Sequence, residues 1–209
     1  MKKLRKVSLS STQALSATVD LFSFLDSQPE SFEYRAGQWI APVLADKASA
    51  FSLATAPGEK DRGAFDIAVK KGPAQDLLRQ MPRASTLEVL GPEGDFIYED
   101  EIGPVLFVGT GTGVAALRSM IMYRYSDTGC GGQSVLLVGH RRQDDMLWAS
   151  DFLALESKHG GFQYCPTLSS EAKSWNGLEG RIQKHLPKML EARRWSKIYI
   201  CGHLIWLMS

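Results

Sequence analysis

A segment rich in glycine and threonine in the second half of the chain has the clearest chemical potential. Gly109-Thr110-Gly111-Thr112-Gly113 stands between the apolar run Val105–Val108 and a helical pattern that begins at Val114. Glycines at a strand-to-helix turn let the backbone approach a phosphate, and the N–H groups at the helix start can bind it. The spacing is neither GxGxxG nor a P-loop, because no Gly-Lys-Ser/Thr follows. Taken alone, the segment indicates either a phosphate-binding turn or a simple tight turn.

Other segments occur in a fixed order around this turn. They are Tyr34-Arg35-Ala36-Gly37-Gln38-Trp39, Gly91-Pro92-Glu93-Gly94-Asp95-Phe96, Val138-Gly139-His140-Arg141, Leu168-Ser169-Ser170 with Trp175–Arg181, and Ile200-Cys201-Gly202. Together with Thr110–Ser119 they resemble, over nearly the whole chain, the ferredoxin–NADP reductase family. The resemblance implies an antiparallel flavin-binding β-barrel followed by a parallel-sheet, nucleotide-binding α/β domain.

A strand in the first half carries the flavin side of this resemblance. Ser49-Ala50-Phe51-Ser52-Leu53-Ala54-Thr55 is similar to the family's Arg-x-Tyr-Ser-hydrophobic-Ala-Ser. The resemblance implies that Phe51 stacks on the isoalloxazine ring and that the Ser52 hydroxyl lies near N5, where hydride arrives. Without the family, the segment would be interpreted as a buried strand with a core phenylalanine. Lys70–Gln75 corresponds to a second element, in which a helix start binds the flavin phosphates.

The resemblance therefore implies two sets of cofactor-binding residues. The flavin set is Phe51, Ser52, Leu53, Ala54, Val69, Lys70, Gly72, Ala74 and Gln75; the nucleotide set is Gly109, Thr110, Gly111, Thr112, Gly113, Arg141, Ser169, Cys201 and Gly202. Ser52 and Cys201 are the predicted catalytic residues, although a cysteine that ends a buried strand is also commonly a small core residue. The predicted cofactors are FAD and either NADH or NADPH, without a metal.

The flavin site departs from the family at one position. Ser49 stands where the family has an arginine that pairs with the flavin phosphates. Serine cannot replace the bidentate, charge-assisted hydrogen bonds of a guanidinium group. Lys47, Lys70 and Lys71 are candidates for partial compensation. We therefore expect weakened flavin binding, with FMN or loosely held flavin as alternatives to tightly bound FAD.

The nucleotide side departs from the family at three places. Ser170 stands where members often carry arginine, which favours NADH over NADPH, with Arg141, Arg142 and Lys173 as other possible contacts for a 2′-phosphate. His203 replaces a proline, and we assign it no role. Relatives usually continue through a helix and a strand after the Cys-Gly turn. Because this sequence stops at Ser209, we expect a short C-terminus whose apolar tail packs on the open sheet.

Three functions are compatible with these residues. The first is an NAD(P)H-dependent oxidoreductase that passes hydride to flavin and electrons to a separate acceptor, either a redox protein or a small molecule. The second is a binding or regulatory subunit of an electron-transfer complex, supported by Ser49, His203 and the C-terminus. The third is a different phosphate-binding α/β enzyme, which the missing Walker lysine makes the least favoured.

The periodicity of the sequence divides the chain into two halves. Up to residue 99, short alternating strands separated by turn residues predict a closed barrel or sandwich. From residue 103, continuous apolar runs alternate with helical patterns, which predicts a parallel sheet covered by helices. Helices are expected over Ala74–Met81, Val114–Tyr125, Met146–Leu155 and Ile182–Arg193. The predicted domains are a flavin-binding barrel over 1–99 and an NAD(P)-binding domain over 103–209.

Composition excludes several other classes of protein. With 24 basic and 23 acidic residues in 209, the chain carries a formal net charge of +1, so neither nucleic acid nor an anionic membrane is a default partner. The sequence lacks an apolar run of about 18 residues and the apolar core of a signal peptide, and a cytoplasmic location is predicted. Cys130, Cys165 and Cys201 have no disulfide-framework, zinc or iron–sulfur spacing.

Overall fold

Two β-sheets and four α-helices make up the computed structural model, which describes residues 4–45, 47–170 and 175–202. The strands are β1 Leu4–Ala14, β2 Val19–Asp26, β3 Trp39–Leu44, β4 Lys47–Ala48, β5 Phe51–Ser52, β6 Ala64–Lys70, β7 Thr86–Glu93, β8 Val105–Thr110, β9 Ser134–His140, β10 Phe162–Leu168, β11 Leu178–Glu179 and β12 Lys197–Cys201. The helices are α1 Pro73–Gln80, α2 Val114–Arg124, α3 Ala149–Lys158 and α4 Leu186–Ala192.

The first sheet is antiparallel and strongly curled. Its strand order is β4-β3-β7-β1-β2-β6, and β5 pairs with β3 on a separate branch. A single bridge between Leu53 and Ile67 connects the end of β5 to β6 and brings the two ends of the sheet together. Alternate residues face inward along each strand, as in Val7 and Leu9 of β1 and Phe22 and Phe24 of β2, and they form one apolar core. The predicted antiparallel sheet is confirmed as a half-barrel.

The second sheet is parallel, with the order β11-β10-β9-β8-β12. Its central strands β8 and β9 are buried on both faces, as their continuous apolar runs predict. On one face, α2 and α3 pack against Phe107 and Leu136. On the other face, the segment that contains α4 packs against Leu106 and Leu137. The predicted α/β domain with a parallel sheet is therefore confirmed.

Helix α2 lies between the two sheets. It is buried almost all round, and its residues share one apolar cluster with both sheets. From the curled sheet, the small side chains of Ala36, Ala54 and Ala68 enter this cluster beside Val114 and Ala115 of the helix. Small residues at the contact allow the backbones of the two parts to approach each other closely.

Two predicted helices differ from the observed ones. The helix predicted over Met146–Leu155 begins only at Ala149, because Trp148 has a left-handed backbone with φ of 54° that cannot continue into a helix. The helix predicted over Ile182–Arg193 is divided into a 3₁₀ turn and α4. Pro187 lies in the first turn of α4, where its missing N–H favours a new helix start over continuation of the preceding turn.

Several predictions fall outside the described part of the chain. They concern Lys173, His203 and the apolar tail at Ile205–Ser209. Within residues 4–45, 47–170 and 175–202, no helix combines the length and the apolar character that a membrane span requires.

Candidate functional site

The glycine-rich turn lies at the carboxyl end of β8 and leads directly into α2. Gly111 has φ of 54° and lies in a 3₁₀ turn, and a Cβ added to it would meet no atom within 4 Å. No side chain caps the start of α2 at Gly113, and the Val114 N–H donates to the Gly111 carbonyl oxygen within the 3₁₀ turn. The open backbone at Gly111, together with the positive end of the helix dipole, fits the diphosphate of a dinucleotide.

The end of β12 forms the wall of this turn. β12 pairs with β8 so that Cys201 lies opposite Gly109. A Cβ on Gly113 would lie 2.7 Å from the carbonyl carbon of Cys201, and one on Gly202 would lie 2.3 Å from Thr110 Oγ1. Both positions therefore need glycine because two backbones meet there. Burial raises the pKa of the half-buried Cys201 thiol, which stays protonated at neutral pH.

The remaining nucleotide residues follow the neighbouring strands. Arg141 comes directly after β9 and Ser169 directly after β10, and both are exposed. The Ser169 N–H donates to the carbonyl oxygen of His140 at 3.0 Å, which holds the two strand ends together. The predicted nucleotide set thus lies along one edge, at the carboxyl ends of four adjacent parallel strands, where open α/β sheets bind ligands.

His140, at the end of β9, is a buried base beside this edge. Its side chain is 7% exposed, and its Nε2 atom has no hydrogen-bond partner among the described residues. Burial lowers its pKa to about 4, with Asp145 acting weakly in the opposite direction. His140 is therefore neutral at physiological pH.

The predicted flavin strand, β5, pairs with β3 and directly precedes the Leu53–Ile67 bridge that joins the two ends of the curled sheet. Phe51 is half-buried and packs against the core of that sheet, so part of its ring remains accessible. Ser52 lies directly opposite Trp39 of β3, and the side chains of an opposed pair project from the same face. Both are half-buried. Trp39 ends the first family segment, but its sequence context alone predicts no role for it.

The predicted phosphate element lies at the end of β6 and the start of α1. Lys70 and Lys71 are exposed, and no side chain caps the helix at Gly72. The buried Gln75 donates from Nε2 to the carbonyl oxygen of Val69 at 3.2 Å, which ties the helix to the strand. Ser49 is exposed beside the β3–β4 hairpin. An uncapped helix start with two lysines fits a phosphate, and Ser49 adds no charge to it.

Two family segments support the fold rather than a ligand. Gln38 Nε2 donates to the carbonyl oxygen of Gly94 at 3.3 Å, joining the first segment to the second. A Cβ on Gly37 would lie 2.3 Å from the carbonyl oxygen of Phe96 and 2.4 Å from Met120 Cε of α2. The two segments hold the curled sheet, the segment between the sheets and α2 in close contact.

A set of polar contacts joins the flavin strand to α2. Arg118 Nη1 donates to the carbonyl oxygen of Ala54 at 2.8 Å, and Ser119 Oγ donates to that of Thr55 at 2.7 Å. Tyr34 Oη donates to the same Thr55 oxygen at 3.1 Å. Arg118 and Ser119 lie in the family segment Thr110–Ser119, but the sequence alone predicts no function for either residue.

Both parts of this architecture recur in known reductases. A family profile described as the oxidoreductase NAD-binding domain matches residues 107–208. Ferredoxin–NADP reductase B of Sorangium cellulosum is 31% identical over 208 residues, covering 93% of this chain and 84% of the relative. A CDP-6-deoxy-L-threo-D-glycero-4-hexulose-3-dehydrase reductase of Yersinia pestis is 24% identical, covering 97% and 62%.

Solved structures show the same fold. The cytochrome b5 reductase domain of Ulva prolifera nitrate reductase has a TM-score of 0.81 at 20% identity, with 98% of this chain and 89% of that one covered. Amycolatopsis cytochrome P450 reductase has a TM-score of 0.80 at 21% identity, covering 94% and 61%. The chain thus spans about three fifths of the Yersinia and Amycolatopsis proteins.

A curled antiparallel sheet followed by a parallel α/β sheet defines the class of two-part flavoprotein reductases. The chain belongs to the ferredoxin–NADP reductase-like family within that class. The members of this family are NAD(P)H-dependent reductases that bind FAD and a pyridine nucleotide.

Proposed function

We propose that this chain is an NAD(P)H-dependent flavin reductase that passes electrons to a separate acceptor. In this proposal residues 1–99 hold the flavin and residues 103–209 hold the nucleotide. The observation that carries it is the junction of the two predicted sites. The 3₁₀ turn Gly111–Gly113 contacts β6 of the curled sheet, and Arg118 and Ser119 bond to the end of the flavin strand.

The chain's own residues would bind and orient the two cofactors. Phe51 offers ring surface to the isoalloxazine, and the Ser52 hydroxyl is available to hydrogen-bond near N5. The start of α1, with Lys70 and Lys71, would bind the flavin phosphates through N–H groups and charge. The Gly109–Gly113 turn would bind the nucleotide diphosphate.

Phe51 and Ser52 would hold the isoalloxazine beside the nicotinamide, and the bound cofactors would supply the hydride and electron transfer chemistry. Cys201 borders the proposed path as a neutral thiol and would contribute by packing rather than by proton transfer. The exposed Ser169 and Ser170 supply no positive charge for a 2′-phosphate, which favours NADH, while Arg141 is the nearby cation in the predicted set.

The visible absorption spectrum of the purified protein tests this proposal. It is recorded with and without added FAD, before and after anaerobic addition of NADH, and again with NADPH. We expect a flavin spectrum that bleaches with NADH. A protein that retains FAD but is bleached by neither nucleotide would contradict the proposal.

Ser49 favours a second candidate, a binding subunit that keeps the reductase fold but holds flavin poorly. Its exposed hydroxyl stands where the family has a phosphate-binding arginine. Flavin content separates the two candidates: a colourless protein that does not retain added FAD and does not oxidise NADH would favour the binding subunit.

A further inference from the structure

Arg118 in α2 donates hydrogen bonds to residues of both parts of the molecule. Its side chain is largely buried, at 9% exposure for the residue. Besides the Ala54 carbonyl, the guanidinium donates from Nη2 and Nη1 to the two carboxylate oxygens of Glu59 at 2.7 and 3.1 Å. Nη2 and Nε donate to Asp151 Oδ2 at 2.8 and 3.1 Å. The ring of Trp148 lies 5.7 Å below the guanidinium carbon.

These partners belong to three different elements. Ala54 lies two residues after Ser52, and its N–H donates to the Asp66 carbonyl of β6 at 2.9 Å. Glu59 follows in the next loop, where Oε2 also accepts the N–H of Ala56 at 2.7 Å. Asp151 lies in α3 of the parallel sheet's domain. One guanidinium therefore fixes the segment 54–59 of the curled sheet to both α2 and α3.

The buried guanidinium charge of Arg118 is paired with the carboxylates of Glu59 and Asp151. Burial lowers the pKa of the Arg118 guanidinium, but hydrogen bonds and charge from Glu59 and Asp151 outweigh it, and the pKa is raised overall. The planar fork uses Nε, Nη1 and Nη2, a geometry that the single ammonium of lysine cannot reproduce. Without the guanidinium, two carboxylates would face each other in a partly buried space.

We infer that Arg118 is a positioning residue that sets the distance between the flavin strand and the dinucleotide turn. This inference rests on the proposed function. Helix α2 begins at Val114, directly after the turn, and Arg118 lies just over one helical turn further on. Two short links therefore fix the position of Ser52 relative to the turn. The first is the helical segment from Val114 to Arg118, and the second is the hydrogen bond from Arg118 to Ala54, two residues after Ser52.

Hydride transfer is sensitive to such a connection. Reacting atoms must come within about 3–3.5 Å, and a misplacement of about 1 Å can cost roughly a hundredfold in rate. A change at Arg118 should therefore slow hydride transfer with little effect on either affinity, since Arg118 is in neither cofactor-binding set and touches the flavin set only through the backbone carbonyl of Ala54.

The test compares Arg118→Lys with Arg5→Lys in the flavin-loaded protein. Arg5 is a matched control: it is buried, pairs with Asp26 through Nε and Nη2, and lies within the curled sheet alone. The limiting rate of flavin bleaching by NADH is measured anaerobically by stopped flow, together with the Kd of FAD, the Kd of NADH and the Tm.

We expect Arg118→Lys to lower the limiting rate by roughly 10- to 100-fold, with both Kd values within about threefold of wild type. Arg5→Lys should lower the Tm but keep the rate within about twofold. Should Arg118→Lys fail to fold, Glu59→Gln removes one charge of the same cluster and should lower the rate by about threefold or more.

Two opposing results have different meanings. A wild-type protein that NADH bleaches, beside Arg118 and Glu59 variants with unchanged rates or with losses only in nucleotide Kd, would overturn the positioning role alone. A wild-type protein that retains flavin but is not bleached by a pyridine nucleotide would overturn the proposed function, and this inference with it.

Discussion

The turn from β6 to α1 and the turn from β8 to α2 are both proposed to bind phosphate, and they are built differently. At the turn from β6 to α1, a Cβ on Gly72 would meet nothing closer than the Lys70 carbonyl oxygen at 4.0 Å, and two exposed lysines precede it. At the turn from β8 to α2, a Cβ on Gly113 would lie 2.7 Å from the backbone of β12, and the turn carries no charged side chain. The first turn offers charge and the second offers shape.

The buried titratable side chains beside the two turns also differ: one is paired with an arginine and the other is not. Asp20 lies opposite Val69 at the end of β6 and accepts two hydrogen bonds from Arg79 of α1. His140 lies at the end of β9, next to the residue opposite Thr110, and its Nε2 has no partner among the described residues. The curled sheet compensates a buried charge, whereas the parallel sheet keeps its buried base neutral.

The strongest test of this contrast is Gly113→Ala. The added methyl group must displace the backbone at Cys201 and Gly202, at a cost in stability of about 1–3 kcal/mol. Because this backbone forms the wall of the proposed diphosphate site, we expect NADH affinity to fall by roughly a hundredfold, or about 2.7 kcal/mol of binding free energy. Gly131→Ala is the control, since Gly131 lies in the loop before β9, outside the nucleotide set, and its methyl group meets no atom within 4 Å and adds only backbone strain. Calorimetric titration with NADH measures both. Equal losses at the two positions would contradict a turn defined by close packing.

Lowering the pH tests the neutral state of His140. The unfolded chain takes up a proton below about pH 6.5, whereas the folded chain does so only near the lowered pKa of about 4. Between these values the proton favours the unfolded state, so stability falls as the pH falls, by on the order of 3 kcal/mol in total. Urea unfolding at a series of pH values measures this loss.

His140→Gln should remove most of that dependence, because the amide does not titrate in this range. His185→Gln is the control, since His185 lies outside the core and its ring nitrogen bonds to the Glu179 carbonyl. If wild type and His140→Gln lost stability in parallel from pH 6.5 to 4, another group would have to be responsible.

Ser49→Arg restores to the flavin site the positive charge that the family's arginine carries at this position. A charge-assisted, bidentate contact with phosphate is expected to contribute about 1.5–3 kcal/mol, or roughly 10- to 100-fold in FAD affinity. Ser49→Gln is the neutral control. Fluorescence titration with FAD, FMN and riboflavin measures the effect, and riboflavin should be unaffected because it has no phosphate. A gain for riboflavin as well would exclude a phosphate contact.

The smallest expected effect is that of the two lysines before Gly72. Replacing both Lys70 and Lys71 with glutamine removes exposed charges at a helix start, each contributing about 0.3–1 kcal/mol. FAD affinity should fall a few-fold at low salt and little at high salt, because salt screens exposed charges. The effect of Gly113→Ala should not depend on salt. If the lysine variant lost FAD affinity equally at low and high salt, the proposal that the β6–α1 turn binds phosphate through charge would be wrong.

Periodicity predicts the larger elements well. Val105–Val108 and Val135–Val138 are continuous apolar runs and form the buried centre of the parallel sheet. The turn after Val108 was identifiable because glycines stand at a change of pattern. The two-residue strands β4 and β11 are too short to show a period, and the left-handed Trp148 has no sequence signal.

The cluster around Arg118 could not be predicted for a different reason. Glu59 and Asp151 lie 59 and 33 residues away in sequence, and both stand among ordinary surface-type residues. A contact between side chains of distant elements is determined by how the two sheets dock, which no local pattern encodes. The residues proposed to bind a ligand through a backbone turn were therefore easier to predict than the residue proposed to align the two sites.

The burial of α2 on all sides has a consequence for the modularity of the molecule. A helix covered by two sheets cannot remain in water when one of them is removed, because its apolar surface would then be exposed. The two parts should therefore melt as a single cooperative unit, with one calorimetric transition, although each sheet is continuous in sequence. An exchange of one half between relatives would succeed only when the exchanged half brings a matching surface for this helix.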